Sequence, residues 1–577
     1  MARSWLGRRL SGRRLIYFLI SLSLLSFVAV QFTFGRPNDV IASRRHPQDG
    51  FNDDPPYKAG GPQEARLHAD VVKVPPRDGF LNNVADAIKP TFLGKGKFIP
   101  EKRIVHLDLK GGAYRPSFFP RLFDFFVKTQ FTGILLEWED MFPYEGTLKT
   151  AINGDAYSMQ DVRDILQAAK DRKLEVIPLV QTFGHLEWVL KLDGFARLRE
   201  DPRHPTVICF GKNESFDIIK DMVDQVAGVH KEFGMSSFHM GADEVFILGV
   251  CNESVKKMQE HGGKDRAMLW HMSRVAKYIK ETHKVDVLAW HDMFAHIIEE
   301  DLRTYEMTTL VEPMLWSYAE DLDYFLPFST WLSLKPFGKA WAASAFKGAD
   351  GPGRYISNPM HYVKNHESWV KQFDRAKNEL KIRGLVYTGW SRYDHMATLC
   401  ELVPTALPQL LMSQETILEG KPMNGNYEMT RKWLECTPVT GLGEVSYGCK
   451  FPGSEVYEVI NQYYNKRLAV EKYIAEDYDF NGWLTRIAEV YDVSSPLAVE
   501  KIIPVLDQHL SDLKASEKAF RNAMKLIYFQ ETIDEYVYVY MADIIEKLQR
   551  RREAAIKQST GVNTYPKRPF IKYPKEL

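Results

Sequence analysis

The stretch Ser237-Phe-His-Met-Gly-Ala-Asp-Glu-Val245 decides the interpretation of this chain, because a short apolar segment here ends in two neighbouring acids. Seven other short β-branched or aliphatic segments resemble it, and amphipathic helical patterns lie between them. The eight predicted strands are residues 104–109, 133–137, 175–181, 237–241, 285–290, 310–316, 339–345 and 384–390. Strands that alternate with helices in this way predict parallel βαβ units.

Eight such units in about 320 residues predict an α/β protein with a closed (β/α)8 TIM barrel. The alternative is an open, doubly wound sheet, which usually has a glycine-rich phosphate-binding turn after its first strand. Gly111 and Gly112 follow the first predicted strand, but neither GxGxxG nor GxxxxGK[ST] occurs there. We therefore predict a catalytic barrel over residues 99–420 and a C-terminal helical region over residues 421–577.

A long apolar segment lies near the N-terminus. Residues 15–34 carry no charge, and five arginines precede them. A helix of that length spans roughly 30 Å, and arginines on this side favour a cytosolic N-terminus. We predict a cytosolic tail (1–14), a transmembrane signal anchor (15–34) and a stem (35–98). This organisation describes a single-pass type II membrane protein of the secretory pathway, in the Golgi, with a lumenal catalytic domain. A cleaved signal peptide is the alternative.

The sequons and cysteines also fit an oxidising compartment. Asn213 and Asn252 each begin an Asn-Glu-Ser sequon, so both are predicted glycosylation sites. The chain has five cysteines but no CxxC motif or Cys/His cluster, so we predict no metal and no cofactor. Two disulfides are conceivable from the positions in the sequence. The possible pairs are Cys209 with Cys251 and Cys436 with Cys449.

Composition excludes two broad classes of protein. Hydrophobic residues make up 45% of the 577 residues, which argues against a mainly disordered chain. Lysine and arginine number 75, as do aspartate and glutamate, so no basic excess points to nucleic acid as a partner.

Chemistry in a (β/α)8 barrel takes place where the strands end. Asp243 and Glu244 follow the fourth predicted strand, and three other strands end in a tryptophan: Trp290, Trp316 and Trp390. Two carboxyls that lie close together cannot both hold a full charge easily, so one can keep a proton and act as an acid near neutral pH. Protonation of a leaving oxygen beside a second carboxylate is the chemistry of glycoside cleavage.

The motif His-x-Gly-Ala-Asp-Glu at residues 239–244 resembles the signature of glycoside hydrolase family 20, the β-N-acetylhexosaminidases. The runs LLEWEDMFPY (135–144), QTFGH (181–185) and YTGWSRYDH (387–395) resemble the hexosaminidase D branch of that family. The resemblance covers about residues 103–414. It implies a retaining, substrate-assisted reaction in which the 2-acetamido oxygen of the sugar attacks the anomeric carbon.

The resemblance also implies roles for individual residues. Asp243 would orient the acetamido N–H and stabilise its charge, while Glu244 would protonate the leaving oxygen and then activate water. His239 would orient the loop after the fourth strand. The candidate substrate-binding residues are His185, Trp290, Asp292, Trp316, Trp390, Glu137, Tyr387, Arg392 and His239.

The sequence departs from the family pattern after the first, seventh and eighth predicted strands. Lys110 stands where members often have an arginine, and Arg392 stands where the classical members have a glutamate. The tyrosine that would bond the acetamido carbonyl is unassigned. The candidates for it are Tyr355, Tyr387 and Tyr393.

The function implied is an exo-acting β-N-acetylhexosaminidase that removes terminal β-linked GalNAc or GlcNAc from glycans. One alternative is a catalytically silent, lectin-like glycan-binding barrel, and another is a barrel hydrolase that cleaves inside chains. The expected partners are a glycan substrate, the membrane through the N-terminal anchor and a second copy of the chain in a possible homodimer.

Overall fold

A computed structural model describes residues 97–436 and 448–561, together with residues 565, 567, 568 and 572. All of them belong to one unit, residues 89–577. Residues 1–96 lie outside the described residues. The predicted cytosolic tail, the signal anchor and nearly all of the predicted stem therefore fall outside the part of the chain that the structure describes.

Eight parallel strands close into a barrel, which confirms the predicted fold. Their order around the barrel is β1, β2, β3, β6, β7, β8, β9, β10 and back to β1. The strands are β1 (Lys102–Asp108), β2 (Gly133–Glu137), β3 (Glu175–Leu179), β6 (Ser237–His239), β7 (Asp286–Trp290), β8 (Val311–Trp316), β9 (Lys339–Lys347) and β10 (Lys381–Gly389). All eight predicted strands are present, with their ends shifted by three residues at most.

An antiparallel hairpin that the sequence did not reveal lies between β3 and β6 in the chain. It pairs β4 (Arg199–Asp201) with β5 (His204–Ile208). Because neither strand is long or mainly apolar, the apolar periodicity that identified the barrel strands gives no signal here.

The strands alternate between the inside of the barrel and the surrounding helices. Side chains of seven of the eight strands form an apolar cluster in the interior, for example Ile104, Leu135 and Val386, while their neighbours face the helices. Both faces of a parallel strand are therefore buried, which explains the nearly continuous apolar segments in the sequence. The tryptophans Trp316 and Trp390 border this interior cluster and are only partly buried.

Helices cover the outside of the barrel. The helix Met159–Asp171 shows why they form: Ser158 and Asp161 make a capping box at its start, and Val162 and Leu166 are buried against the sheet. The helices up to the end of the barrel are Phe119–Lys128, Met159–Asp171, Glu187–Leu190, Asn213–Glu232, Asn252–His261, Lys264–His283, Glu299–Thr304, Met307–Leu310, Leu322–Phe325, Phe328–Ser333, Pro359–Ala376 and Val403–Glu419. Short 3-10 turns occupy Pro116–Phe118, Glu139–Met141, Gly146–Ala151, Asp193–Leu198 and Lys335–Phe337.

The C-terminal region is helical, as predicted, and packs on the barrel. The backbone N–H of Arg115, after β1, donates to the carbonyl of Ile527 over 2.6 Å, and the Tyr540 hydroxyl donates to the carbonyl of Leu399. The helices are Glu428–Leu434, Ser454–Glu476, Tyr478–Trp483, Arg486–Tyr491, Pro496–Met524, Gln530–Val537 and Asp543–Thr560, with a π-helical turn at Tyr538–Ala542.

The predicted membrane localisation requires a correction. No helix within the described residues is long and apolar enough to cross a membrane. The predicted anchor, residues 15–34, lies outside those residues. We therefore do not assign this protein to a membrane or to the Golgi.

Both conceivable disulfides are present. Cys209 is bonded to Cys251 and Cys436 to Cys449, while Cys400 is buried and carries a thiol. The first pair joins the end of β5 to the segment that follows the two acids after β6.

Candidate active site

The two acids after β6 both reach His185 because the backbone turns sharply there. On a regular strand, neighbouring side chains would point to opposite faces. Here Gly241, Ala242 and Glu244 have φ angles of 66°, 68° and 49°, in the left-handed region. Only glycine fits at position 241, since a Cβ atom would lie 1.9 Å from Gln181 Oε1.

His185, in the loop after β3, lies between the two acids. Its Nε2 atom is 3.6 Å from Asp243 Oδ2 and 3.3 Å from Glu244 Oε2. On the other side, Gln181 Nε2 donates to Asp243 Oδ1 over 3.0 Å. The predicted neighbourhood of His185 with the acids is thus present, and Gln181 is an additional contact that fixes the Asp243 carboxylate.

Burial and neighbouring charged groups shift the pKa values of His185 and Asp243. Burial lowers the pKa of His185, but the Asp243 carboxylate and the hydrogen bond to Glu244 outweigh it and raise that pKa to about 10. Burial, together with the nearby Glu244 charge, raises the pKa of Asp243, and His185 opposes this shift. The His185 ring, charged at neutral pH, therefore contacts both acids.

Asp292, after β7, fixes the positions of both an acid and an aromatic wall. It accepts the backbone N–H of Glu244 over 2.8 Å and the indole N–H of Trp316 over 3.0 Å. Burial and the neighbouring Asp243 carboxylate raise the pKa of Asp292 to about 7. Both of these hydrogen bonds go to protein groups, and a contact of Asp292 with substrate stays a prediction.

Several aromatic rings lie together at this end of the barrel. Trp290 is buried, and its ring centroid lies 6.1 Å from that of Trp390. Tyr318 lies 5.2 Å from Trp316, centroid to centroid, and its hydroxyl accepts the indole N–H of Trp390 over 3.1 Å. Sequence reasoning missed Tyr318, although it follows Trp316 by two residues just beyond the end of β8.

His239 contacts the turn that carries the acids. It is fully buried, its Nδ1 atom accepts the backbone N–H of Gly241 over 3.0 Å, and its ring packs 4.4 Å from Trp290. Burial lowers the pKa of His239 to about 3, so the ring is neutral and can accept this bond. It orients the turn that carries the acids.

A buried charged group lies beside Trp390. Lys110 Nζ is 3.7 Å from Asp108 Oδ2, 3.4 Å from Glu139 Oε1 and 5.5 Å from the centroid of the Trp390 ring. Burial raises the pKa of Glu139, but Lys110 and His395 outweigh it and hold that pKa at about 2. Lys110 is therefore a charged group next to the pocket wall, at the strand end where the family often has an arginine.

Glu137 is more deeply placed than predicted. It is 1% exposed, and its Oε2 atom pairs with His106 Nε2 over 3.0 Å. Burial raises the pKa of Glu137 well above its ordinary value and lowers that of His106. Its second oxygen, Oε1, is buried and has no hydrogen-bond partner within the described residues.

The structure does not support a substrate contact for Tyr387. Its side chain lies among the residues that face the helices, where it packs against His366 and donates its hydroxyl proton to Gln414 Oε1 over 2.7 Å. The neighbouring Val386 faces the barrel interior instead. The alternation of a β-strand therefore directs Tyr387 away from the pocket.

The other tyrosines proposed for the acetamido carbonyl are also engaged elsewhere. Tyr355 packs among Tyr463, Tyr464 and Tyr540 of the C-terminal region. Tyr393 is 43% exposed, and its hydroxyl accepts the backbone N–H of Gly351 over 3.0 Å.

Arg392 also has a different role from the predicted sugar contact. Its guanidinium forms an ion pair with Glu535 in the helix Gln530–Val537 and donates to the carbonyls of Gly111 and Ala397. It fastens the loop after β10 to the C-terminal helical region.

Replacing Arg392 with alanine is therefore expected to destabilise the fold and leave substrate binding nearly intact. Loss of a partly buried ion pair should lower the free energy of unfolding by about 1–3 kcal/mol, with KM changed less than about twofold. Urea denaturation and steady-state kinetics measure the two effects. Arg303→Ala is the matched control, because the exposed Arg303–Glu299 pair is worth at most about 0.5 kcal/mol. A tenfold rise in KM at unchanged stability would show that Arg392 binds the sugar.

The two predicted glycosylation sites are accessible. Asn213 and Asn252 are exposed, and each is the first residue of a helix. Their modification remains a prediction.

Several known proteins are similar to this chain. Residues 111–321 match the profile of glycosyl hydrolase family 20, catalytic domain. Human hexosaminidase D is 32% identical over 455 residues, which covers 78% of this chain and 93% of that protein. Bovine hexosaminidase D is 39% identical over 325 residues, 55% of this chain and 92% of that protein. The crystal structure of β-N-acetylhexosaminidase from Bacteroides fragilis matches with a TM-score of 0.41 at 15% identity, over 55% of this chain and 65% of that one. The chain belongs to glycosyl hydrolase family 20 and is a glycoside hydrolase of the β-N-acetylhexosaminidase type.

Proposed function

We propose that this protein removes terminal β-linked GalNAc or GlcNAc from glycans as an exo-acting, retaining enzyme. The observation that carries the proposal is the group formed by Asp243, Glu244 and His185, which is bordered by indole rings. A flat aromatic wall suits the apolar faces of a sugar and its acetamido methyl group. The curated hexosaminidase D relatives support the same substrate class.

In the first step, the acetamido oxygen of the substrate forms a bond to the anomeric carbon while the bond to the leaving oxygen breaks. Glu244 gives its proton to that oxygen, so the aglycone leaves as a neutral alcohol. Asp243 accepts the acetamido N–H and stabilises the positive charge that develops on the resulting oxazolinium ring.

In the second step, a water molecule attacks the anomeric carbon from the side that the aglycone has left. Glu244, now a carboxylate, takes a proton from this water, and the ring opens to restore the acetamido group. Two displacements at the same carbon give net retention of configuration. His185 stays within hydrogen-bonding reach of Glu244 and keeps its carboxyl in place in both protonation states.

Tyr318 is the best-placed tyrosine for the acetamido carbonyl, because its hydroxyl is held between Trp316 and Trp390 at the pocket wall. We expect Tyr318→Phe to lower kcat/KM about tenfold or more, since the attacking oxygen would lose a contact that orients it. Steady-state kinetics with an aryl N-acetylhexosaminide measures this loss. Tyr393→Phe serves as the control, and an equal loss in both variants would contradict the assignment.

The lectin-like alternative receives less support from the site. A binding barrel has no need of two acids and a charged histidine in contact, whereas acid catalysis requires such a group. The charged group around Lys110, beside Trp390, offers donors and acceptors for the hydroxyls of a terminal sugar, in agreement with exo action.

The experiment that tests the proposed function is a panel of p-nitrophenyl β-glycosides with GalNAc, GlcNAc, galactose and glucose between pH 4 and 8. We expect p-nitrophenol release from the 2-acetamido sugars alone, with a β-anomeric product in the first NMR spectra. Hydrolysis of the 2-hydroxy sugars at similar rates, or an initial α-anomer, would contradict the substrate-assisted mechanism. Binding of the 2-acetamido sugars without release would favour the lectin-like alternative.

A further inference from the structure

The segment that carries both acids has a backbone conformation that must be held in place. Residues 240–251, here called the catalytic loop, connect β6 to the helix Asn252–His261 without regular secondary structure. Ala242 and Glu244 have φ angles of 68° and 49°. Residues other than glycine adopt this conformation at a cost in free energy and keep it only when their surroundings enforce it.

The barrel holds the first half of the catalytic loop. The backbone N–H of Met240 donates to the carbonyl of Leu288 over 2.8 Å, and that of Ala242 donates to Gln181 Oε1 over 3.1 Å. Asp292 fixes the next part through the backbone N–H of Glu244. The last hydrogen bond of this half comes one residue after the acids, where the backbone N–H of Val245 donates to Met293 Sδ over 3.2 Å.

Glu200, on β4, holds the second half. The backbone N–H groups of Gly249 and Val250 both donate to Glu200 Oε1, over 2.7 and 2.9 Å, and the Ser254 hydroxyl donates to Oε2 over 2.7 Å. Glu200 is fully buried. A buried carboxyl with three donors makes strong, directional contacts, so it defines where the loop ends.

A covalent bond reinforces the same end of the loop. Cys251, its last residue, is joined to Cys209, which directly follows β5. The backbone N–H of Cys209 donates to the carbonyl of Leu198, next to β4, over 2.7 Å. Both attachments of the loop therefore lead to the β4–β5 hairpin.

The hairpin also holds the segment that presents His185. The backbone N–H of Leu186 donates to the carbonyl of Thr206 over 3.0 Å, and that of Ile208 donates to the carbonyl of Phe183 over 3.2 Å. His185 itself has a left-handed φ of 51°. One hairpin thus fixes both sides of the contact between His185 and the two acids.

We propose that Glu200 and the Cys209–Cys251 disulfide are positioning elements for catalysis. They hold Asp243 and Glu244 against His185 and the substrate, although neither touches the reacting atoms. The inference rests on the proposed function, because its readout is the turnover of a 2-acetamido sugar. It gives the β4–β5 hairpin, which is not part of the barrel, a role in catalysis.

The first test uses Glu200→Ala and Glu200→Gln, with Glu379→Ala as control because Glu379 forms an exposed ion pair with Lys335. Alanine leaves two loop N–H groups without their acceptor, whereas glutamine can still accept both and donate to Ser254. We expect kcat of Glu200→Ala to fall about tenfold or more, with KM within about threefold of wild type, since small displacements of reacting groups are costly. Glu200→Gln should keep kcat within about threefold.

The second test compares the two disulfides. Cys209→Ala/Cys251→Ala and Cys436→Ala/Cys449→Ala each lose one cross-link, so both should melt at lower temperature. Only the first is expected to lose kcat, by about tenfold. If it fails to fold, reduction of the folded Cys436→Ala/Cys449→Ala protein with dithiothreitol tests the same bond, and its kcat should fall while near-UV circular dichroism persists.

The outcomes separate the two proposals. If wild type cleaves 2-acetamido sugars while Glu200→Ala and the reduced protein keep kcat within about twofold, the positioning role is overturned and the proposed function stands. An equal loss of kcat in both disulfide variants, or in Glu379→Ala, also overturns it. If wild type cleaves none of the panel, the proposed function fails, and the positioning role fails with it.

Discussion

Replacing Glu244 with glutamine is expected to lower kcat/KM for a β-linked N-acetylhexosaminyl disaccharide by roughly 10²–10⁴-fold. Glutamine keeps the size of the side chain but has no acidic proton for the leaving oxygen, and general acid catalysis contributes about this factor. The Glu244 side chain is 31% exposed, so the neutral substitution should change the melting temperature little. Product formation followed by chromatography measures the loss.

The leaving group distinguishes acid catalysis from a general disturbance of the site. p-Nitrophenol is a far better leaving group than a sugar hydroxyl and needs less protonation. Glu244→Gln should therefore slow the first step less for the p-nitrophenyl glycoside. We expect the loss in kcat/KM to be about tenfold smaller for the aryl substrate. Glu379→Gln should have wild-type activity with both substrates. Equal losses with both, or a loss below tenfold with the disaccharide, would contradict Glu244 as the acid.

The barrel was predictable from the sequence because its strands are buried on both faces. Eight separate apolar segments with helices between them admit few folds, and the strand ends then identify the active face. The same logic predicts that Asp243, Glu244, His185 and the three tryptophans lie near the ends of their strands, and the structure places them there; their roles in catalysis and binding stay predictions.

The errors concern side chains whose direction or contact partner cannot be inferred from their position near the end of a strand. Tyr387 was misassigned because a shift of one residue along β10 exchanges the inner and outer faces. Arg392 was misassigned because its partner, Glu535, lies 143 residues away in the C-terminal helices, and no local pattern reveals that contact. Tyr318 was missed because it lies beyond the end of β8, where side chains no longer alternate between the inside and the outside of the barrel.

The β4–β5 hairpin illustrates a third limit. Its strands are three and five residues long, and their importance lies in hydrogen bonds to two loops rather than in apolar burial. Periodicity detects burial, so such an element is visible only in three dimensions.

Replacing Asp243 with asparagine is expected to reduce kcat by roughly 10²–10³-fold, about the loss seen when one electrostatic contact to a developing charge is removed. Asparagine can still accept the Gln181 amide that now donates to Asp243 Oδ1, so the geometry should persist. It has no charge, however, to stabilise the oxazolinium ring. Because Asp243 acts on the nucleophile rather than the leaving group, aryl and disaccharide substrates should lose activity equally, in contrast to Glu244→Gln.

A second readout comes from His185. The Asp243 carboxylate is the largest of the contributions that raise the pKa of His185, which reaches about 10 in the wild-type protein. Removing that charge should lower the pKa of His185, so its ring would lose its proton at a less alkaline pH. An NMR titration of the His185 ring protons measures this shift, with Asp292→Asn as a comparison in which the contact between His185 and Asp243 is retained. A strong loss of activity with an unchanged His185 titration would mean that Asp243 is neutral in the wild-type site, and the charge-stabilising role would then have to be abandoned.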